Sequence, residues 1–382
     1  MKRFLPLLLT AALLIPCARA AEEGQASGVL DLTAASAVLV EKETGRLLYE
    51  KDARLPLEPA SVTKVMTLLL IMEAIDSGRI SPEDTVTVSA YAAGMGGSQV
   101  YLKEGEQMPV SELVKCITVV SGNDAAVAMA EYLSGSEAAF AAEMNLRARE
   151  LGMEDTNFVN CTGLPVQGHL TTAYDISLMS RELILNHPSI RQYTTIWMDS
   201  IRGGEFGLTN TNRLVRFYQG ATGLKTGSTD SALYCMSATA ERDGMELIAV
   251  VMKAPTSADR FEDAKTLLDY GFANYCLADV YPESPLAPVD VLLGESNQIQ
   301  PQLSRSCRVL VRRGEENLIE TRLTVAQDLE APVEEGQTIG CLEVLVGGEL
   351  RDSIPIVSAQ GVERLTLPGI FLRMFRRLTM AG

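Results

Sequence analysis

Ser61 and Lys64 stand three residues apart in Glu58-Pro59-Ala60-Ser61-Val62-Thr63-Lys64, at the head of an apolar run. That spacing is one helical turn and puts both side chains on one face. A serine hydroxyl attacks only when a base takes its proton, and a lysine is such a base only when uncharged. From Val65 to Ile75 only Thr67 and Glu73 are polar, which reads as a helix buried nearly all round. Pro59 suits its first turn, and the region of Gly78 ends it. Ser61 then lies in that first turn, among unpaired N–H groups at the positive end of the dipole. Lys64, opening a buried helix, is costly as a cation. The pair reads as a serine activated by a lysine. The plain alternative is a helix cap, with Lys64 reaching solvent along its apolar stem. A Ser-x-x-Lys pattern arises by chance about once in a chain of this size.

Two further short patterns follow in order, Ser121-Gly122-Asn123 and Lys225-Thr226-Gly227. Taken singly, the first is an ordinary helix break and the second an ordinary strand end. No Ser-His-Asp arrangement competes with them, because the only histidines are His169 and His187. His187 precedes Pro188 at a helix end. His169 lies in a long loop, where it either lines a cleft or serves the structure.

The elements that must position these residues can be read from periodicity. Ala37 to Val40 and Arg46 to Tyr49 form a hairpin around Glu43-Thr44-Gly45. The buried helix follows, then a short strand from Thr85 to Ser89. Ala92 to Gln99, with Gly94, Gly96 and Gly97, reads as a mobile loop. Ser111 caps a helix through Val120; Asp124 to Leu133, Glu137 to Leu151 and Thr172 to Asn186 are further helices. Met153 to Leu170 lacks periodicity and reads as a long loop of the kind that often carries function. Tyr234 to Ala240 and Leu247 to Met252 pair across Asp243-Gly244, and a helix runs from Ala258 to about Tyr275. Strands, helices, then strands and a closing helix imply an α+β or α/β sandwich whose antiparallel sheet joins both ends of the domain.

From about Leu277 the texture changes. Pro282, Pro285 and Pro288 mark a linker, and short alternating runs follow at Val289 to Leu293, Cys307 to Val311, Leu318 to Val325 and Cys341 to Val346. They predict a small all-β module. Ile370, Phe371, Met374, Phe375 and Leu378 then recur at helical spacing with Arg373, Arg376 and Arg377 between them. This is a basic amphipathic helix suited to a membrane surface; the alternative is a helix docked on its own domain.

The chain has 382 residues, 47% hydrophobic and 21% charged, enough for two globular domains with a sizeable core. A formal charge of −16 without a long basic run argues against a nucleic-acid partner. Met1 to Ala20 reads as an export leader, with Lys2 and Arg3, the apolar stretch Phe4 to Ile15, and Ala18-Arg19-Ala20 as cleavage site. Six cysteines remain beyond it: Cys116, Cys161, Cys235, Cys276, Cys307 and Cys341. They are scattered and contain no Cys-x-x-Cys, so buried thiols are the default reading and zinc is not implied. Nothing in the sequence calls for a metal or an organic cofactor. Asn160-Cys161-Thr162 matches a glycosylation pattern that is common by chance.

Taken together, Ser61-Val62-Thr63-Lys64, Ser121-Gly122-Asn123 and Lys225-Thr226-Gly227, with their flanks Val119-Val120 and Ser228-Thr229, resemble a known motif set. It is similar to that of the low-molecular-mass penicillin-binding proteins, the serine-type D-alanyl-D-alanine carboxypeptidases of the S11 type. The likeness covers about Leu32 to Tyr275 and continues into the β module and tail. It implies a penicillin-binding-protein/β-lactamase-like transpeptidase fold, of the α/β (α+β) type. Ser61 would attack the carbonyl of the penultimate D-alanine of a peptidoglycan pentapeptide, and β-lactam antibiotics would acylate it. Lys64 would take the proton. Ser121 would relay a proton to the leaving D-alanine and hold Lys64, and Asn123 would bind the peptide amide. Lys225 would add positive charge. The N–H groups of Ser61 and Ser228 would form the oxyanion hole, Thr226 and Arg260 would hold the substrate's terminal carboxylate, and Gly227 would be a further substrate-binding residue. Leu233 departs from the pattern, standing where a glycine is common.

The implied organisation is a leader over 1–20, a carboxypeptidase domain over 29–276, a β-sandwich over 277–362 and an anchor helix over 366–382. The implied location is the extracytoplasmic face of a bacterial membrane or cell wall. Two other readings stand beside this one. A β-lactamase or transpeptidase would use the same serine, but the added β module argues against a free β-lactamase. A catalytically idle cell-wall binding protein would keep the fold, but the intact motif residues speak against it.

Overall fold

In the computed structural model, which describes residues 30–282 and 284–369, strands from both ends of the first domain share one sheet. In chain order the elements begin with β1 (Ser36–Glu41), β2 (Leu47–Lys51), α1 (Lys64–Asp76), β3 (Thr85–Thr87), α2 (Ala90–Ala93) and β4 (Gln107–Pro109). The helical part continues through α3 (Val110–Val119), α4 (Asn123–Ser134), α5 (Glu137–Glu150), α6 (Ala173–Asn186) and α7 (Arg191–Thr194). Then come β5 (Met198–Ile201), β6 (Phe206–Thr209), α8 (Leu214–Phe217), β7 (Ala221–Thr229), β8 (Leu233–Arg242), β9 (Met245–Ala254) and α9 (Ser257–Asn274). The main sheet is antiparallel in the order β2-β1-β9-β8-β7. The expected leader and the amphipathic positions from Ile370 onward lie outside the described residues.

Alternation along the strands sorts side chains onto two covered faces. On β9, Ile248, Val250 and Met252 join the core built with α1, α3, α4 and α6. Leu247, Ala249 and Val251 join the opposite core, where α9 contributes Phe261, Leu267 and Leu268. α1 is enclosed almost completely, from Lys64 to Met72. Its apolar circumference is what the sequence predicts for a helix between layers.

Some boundaries differ from the sequence reading for local reasons. α1 begins at Lys64, and Ser61 lies in a preceding 3-10 turn, Ala60–Thr63. Ser111 does not cap α3. The helix starts at Val110, and the carbonyls of Pro82 and Asp84 accept the N–H groups of Ser111 and Val110. The expected loop from Ala92 is partly the short α2, capped by Ser89. The β5–β6 hairpin and the strand character of β7 left no alternating signal strong enough to read.

The C-terminal module is all β, comprising β10 (Tyr275–Asp279), β11 (Val289–Leu292), β12 (Gln298–Ile299), β13 (Pro301–Leu303), β14 (Arg308–Arg312), β15 (Ile319–Val325), β16 (Asp328–Glu330), β17 (Thr338–Val346) and β18 (Glu349–Ser358). Its core includes Val289, Val291, Leu342, Val344, Ile354 and Ile356. β10 leaves α9 directly and pairs with β14, so the expected linker is ordered at its start. β18 escaped the sequence reading because Pro355 interrupts it. Cys116, Cys161, Cys235, Cys276, Cys307 and Cys341 are all free thiols.

Candidate active site

The 3-10 turn Ala60–Thr63 presents Ser61 beside the first residue of α1. Lys64 Nζ lies 3.1 Å from Ser61 Oγ, 2.6 Å from Asn123 Oδ1 and 2.8 Å from Thr162 O. Lys64 is fully buried. Burial pushes its ammonium pKa down to about 7, against weaker opposing pulls from Cys161 and Asp124. A neutral amine has two N–H donors and one lone pair. Asn123 Oδ1 and Thr162 O accept the two hydrogens, which leaves the lone pair for the Ser61 hydroxyl.

Two strained backbone positions lie here. Ala60, immediately before the serine, has φ 48°, and Ser121 has φ 64°. Both are non-glycine residues in the left-handed region, which persists only where surroundings hold it. The segment 153–170 lies directly on the turn. A Cβ at Gly163 would fall 1.9 Å from Ala60 O, so only glycine allows this approach.

β7 closes the other side. A Cβ at Gly227 would lie 2.8 Å from both Ser61 N and Val62 N. Lys225, also buried, donates to Thr226 O at 2.8 Å. Burial, then Lys64 and Arg260, hold its pKa well below the usual lysine value. Arg260 on α9 donates to Gly227 O at 3.1 Å and to Cys235 O at 3.4 Å, while its Nε is buried without a partner. Burial lowers its pKa to about 10, and it remains a cation at neutral pH. The hydrogen bonds of Lys225 and Arg260 run to carbonyls and the Ser257 hydroxyl, not to carboxylates. Two lysines and an arginine thus converge, and none of the three makes a direct ion pair with a carboxylate among the described residues.

The structure brings Ser61, Lys64, Asn123, Gly227 and Arg260 into one connected set. Thr226 Oγ1 contacts Thr211 Oγ1 at 2.7 Å, and Ser228 is exposed in register with Tyr234. Two details add to the sequence reading. Ser121 Oγ is buried and makes no hydrogen bond, so Lys64 is held by Asn123 and Thr162. Asn123 is occupied at both ends of its amide, since its Nδ2 donates to Gly96 O at 2.6 Å.

Thr162, Gly163, Thr211 and Asp124 were not found by sequence reasoning. Thr162 acts through a backbone carbonyl, which leaves no side-chain signal. Asp124 is buried and accepts from the N–H groups of Val100 and Leu102, tying that segment to α4. An acid directly after a motif asparagine was a readable hint. Asn160, of the glycosylation-like pattern, is consumed within the loop, accepting from Gly163 N at 2.7 Å.

Residues 21–256 match the family described as D-alanyl-D-alanine carboxypeptidase, and residues 280–364 match the C-terminal domain of penicillin-binding protein 5. D-alanyl-D-alanine carboxypeptidase DacF of Bacillus subtilis is 41% identical over 372 residues, 95% of each chain. Penicillin binding protein 5 of Haemophilus influenzae is similar in structure, with TM-score 0.76 and 27% identity, covering 89% of this chain and 100% of that one. Penicillin-Binding Protein D2 of Listeria monocytogenes, in its ampicillin-bound form, has TM-score 0.59 and 35% identity over 64% of this chain and 99% of its own. A serine hydroxyl beside a buried lysine on this fold, with the family match over residues 21–256 and a relative 41% identical, leads to one conclusion: the chain belongs to the D-alanyl-D-alanine carboxypeptidase family.

Proposed function

We propose that Ser61 is the nucleophile, and Lys64 the general base, by which this protein removes the terminal D-alanine from peptidoglycan stem pentapeptides. The observation that carries the reading is the environment of Lys64 Nζ, with two acceptors for its hydrogens and Ser61 Oγ at 3.1 Å for its lone pair. Ser61 gives its proton to Lys64 as Oγ bonds the penultimate carbonyl carbon. The N–H groups of Ser61 and Ser228 stabilise the resulting oxyanion. The proton then moves to the leaving amine through Ser121, whose buried hydroxyl has no other partner. Water hydrolyses the acyl-serine ester, with Lys64 again as base.

The substrate's terminal carboxylate is received by Arg260, Thr226 and Lys225, at the strand edge ending in Gly227. A carboxylate there supplies the countercharge that these groups lack, and charge-assisted bonds of this kind are strong. Penicillins carry the same carboxylate beside a reactive amide, so they acylate Ser61 and leave slowly. The test is mass spectrometry of protein incubated with penicillin. The adduct maps to Ser61, Ser61→Ala carries none, and a pentapeptide releases D-alanine. Rapid penicillin turnover without D-alanine release would overturn the assignment in favour of a β-lactamase.

The same reading places the protein outside the cytoplasm, with residues 1–20 as leader, 29–276 as the catalytic unit, 277–362 as the β module and 366–382 as a membrane-surface helix. Among the described residues no helix is long and apolar enough to cross a membrane. Full-length protein is expected to float with anionic vesicles, and protein truncated after Leu367 is expected not to. Equal flotation of both removes the tail from the reading.

A further inference from the structure

We propose that His169 is a positioning residue: it latches the segment 153–170 onto the nucleophile turn and so fixes Thr162 O and Ser61 around Lys64 Nζ. The proposal rests on the assignment of Ser61 and Lys64 above.

The hydrogen bonds fix the imidazole tautomer. Val159 N–H donates to Nδ1 at 3.1 Å, so Nδ1 bears no proton. Nε2 therefore carries the hydrogen and faces Thr63 Oγ1 at 2.8 Å. Thr63 Oγ1 in turn donates to Ala60 O at 2.8 Å. The result is a one-way chain: Val159 N–H to His169, His169 to Thr63, Thr63 to Ala60. Every polar hydrogen in it is used once. Its far end is the carbonyl of the strained residue before Ser61.

That same carbonyl is the atom against which Gly163 must close. Its neighbour Thr162 supplies an acceptor to Lys64. His169 is 3% exposed and rests edge-on against Phe158, with ring centroids 5.8 Å apart. Asn160 and Asn145 brace the loop internally and against α5. The His169–Thr63 bond is the side-chain link from the loop to the nucleophile turn. Burial keeps the ring neutral, with a pKa lowered to about 4 against opposing pulls from Glu58 and Glu137.

Releasing the latch admits water beside Lys64. Burial is the main cause of its lowered pKa, so hydration moves that pKa upward. The other groups facing Lys64, namely Asp124, Cys161 and Lys225, are unchanged by a substitution at His169.

The experiment measures acylation by a fluorescent penicillin from pH 5 to 9 for wild type, His169→Ala, His169→Asn and His169→Gln, with Ser61→Ala as control. Hydrogen exchange of the peptide 157–165 and a thermal melt accompany each. In His169→Ala we expect acylation to slow about tenfold or more, as for a small misplacement of reacting groups. Its acid limb should move up by at least about half a pH unit, and the loop should exchange faster. Asn keeps the acceptor for Val159, and Gln keeps the donor to Thr63, so each restores part of the rate. If the alanine variant does not fold, the two amide variants carry the comparison. Folded variants with an unmoved acid limb, or with rates that fall only in proportion to unfolded protein, overturn the proposal. Label on Ser61→Ala would instead overturn the assignment of the nucleophile.

Discussion

The lysine base makes a quantitative claim about pH. Burial lowers Lys64 from the ordinary value of 10.5 to about 7. Each pKa unit is about 1.4 kcal/mol, so the site disfavours the ammonium by about 5 kcal/mol. An unshifted lysine would be neutral about once in three thousand molecules at pH 7; here about half are. Acylation by penicillin should therefore plateau above pH 8 and fall with unit slope below 7. It should reach about a tenth of plateau at pH 6 and about a hundredth at pH 5. Stopped-flow measurement of the second-order acylation constant across that range gives the curve. A rate constant flat down to pH 5.5, or still rising with unit slope at pH 9, would refute Lys64 as the titrating base.

The same shift has a consequence for stability, with a definite sign. The folded pKa lies below the unfolded one, so between about pH 7 and 10.5 the unfolded chain binds more protons. The contribution of Lys64 to stability therefore rises with pH through that window. Denaturant titrations of wild type and Lys64→Met should diverge in favour of wild type by up to about 1.4 kcal/mol per pH unit there. Parallel curves would mean that Lys64 keeps an ordinary pKa.

Three substitutions probe other parts of the site. Gly163→Ala drives a methyl group into Ala60 O at a backbone φ of +81°, and should cut acylation about a hundredfold while lowering the melting temperature; near-normal acylation would mean the loop does not position the serine. Arg260→Ala should raise KM for a free-acid pentapeptide analogue about a hundredfold and leave a C-terminally amidated analogue unaffected, because only the first presents a carboxylate; equal losses on both would remove the carboxylate role. Leu233, where a glycine was expected, has φ 54°. Leu233→Gly removes a left-handed penalty of about 1–2 kcal/mol, adds about 0.5–1 kcal/mol of chain entropy and gives up about 1 kcal/mol of burial from a half-buried side chain, so the melting temperature should stay close to that of wild type; a loss of more than about 2 kcal/mol would contradict this.

Much of this site was legible because its chemistry resides in side chains of restricted type. Ser61 and Lys64 stand out because a serine one turn ahead of a lysine opens an apolar run, and the buried helix behind them announces itself by composition, whereas Arg260 came only from the likeness to the family. The layered sheet was legible for the same reason, since β1, β8 and β9 carry alternating apolar residues. What stayed hidden acts through backbone. Thr162 contributes a carbonyl, and Gly163 and Gly227 contribute the absence of a Cβ. Their partners lie about a hundred residues away or more, and no local pattern encodes such a distance. Ser121 was read for its hydroxyl, while its φ of 64° and missing bond to Lys64 emerged only in three dimensions.

The site is also a place where local preference yields to function. Ala60 and Ser121 adopt backbone angles that glycine prefers, Lys64 and Lys225 are buried without direct ion-pair partners, and Ser121 Oγ and Arg260 Nε make no hydrogen bond within the protein. Each feature costs stability, by amounts on the order of 1–3 kcal/mol for an unmet buried polar group or a strained residue. The close layers around α1 can absorb that cost, because each fully buried Leu, Ile or Met contributes about 1.5–3 kcal/mol. On the proposed reading, a carboxylate-bearing substrate would relieve several of these terms at once. It would give Lys225 and Arg260 an anion and Ser121 a leaving amine to protonate. Binding energy not spent on contacts among the protein's own groups would then be available at the reacting atoms, where it would lower the barrier to acylation.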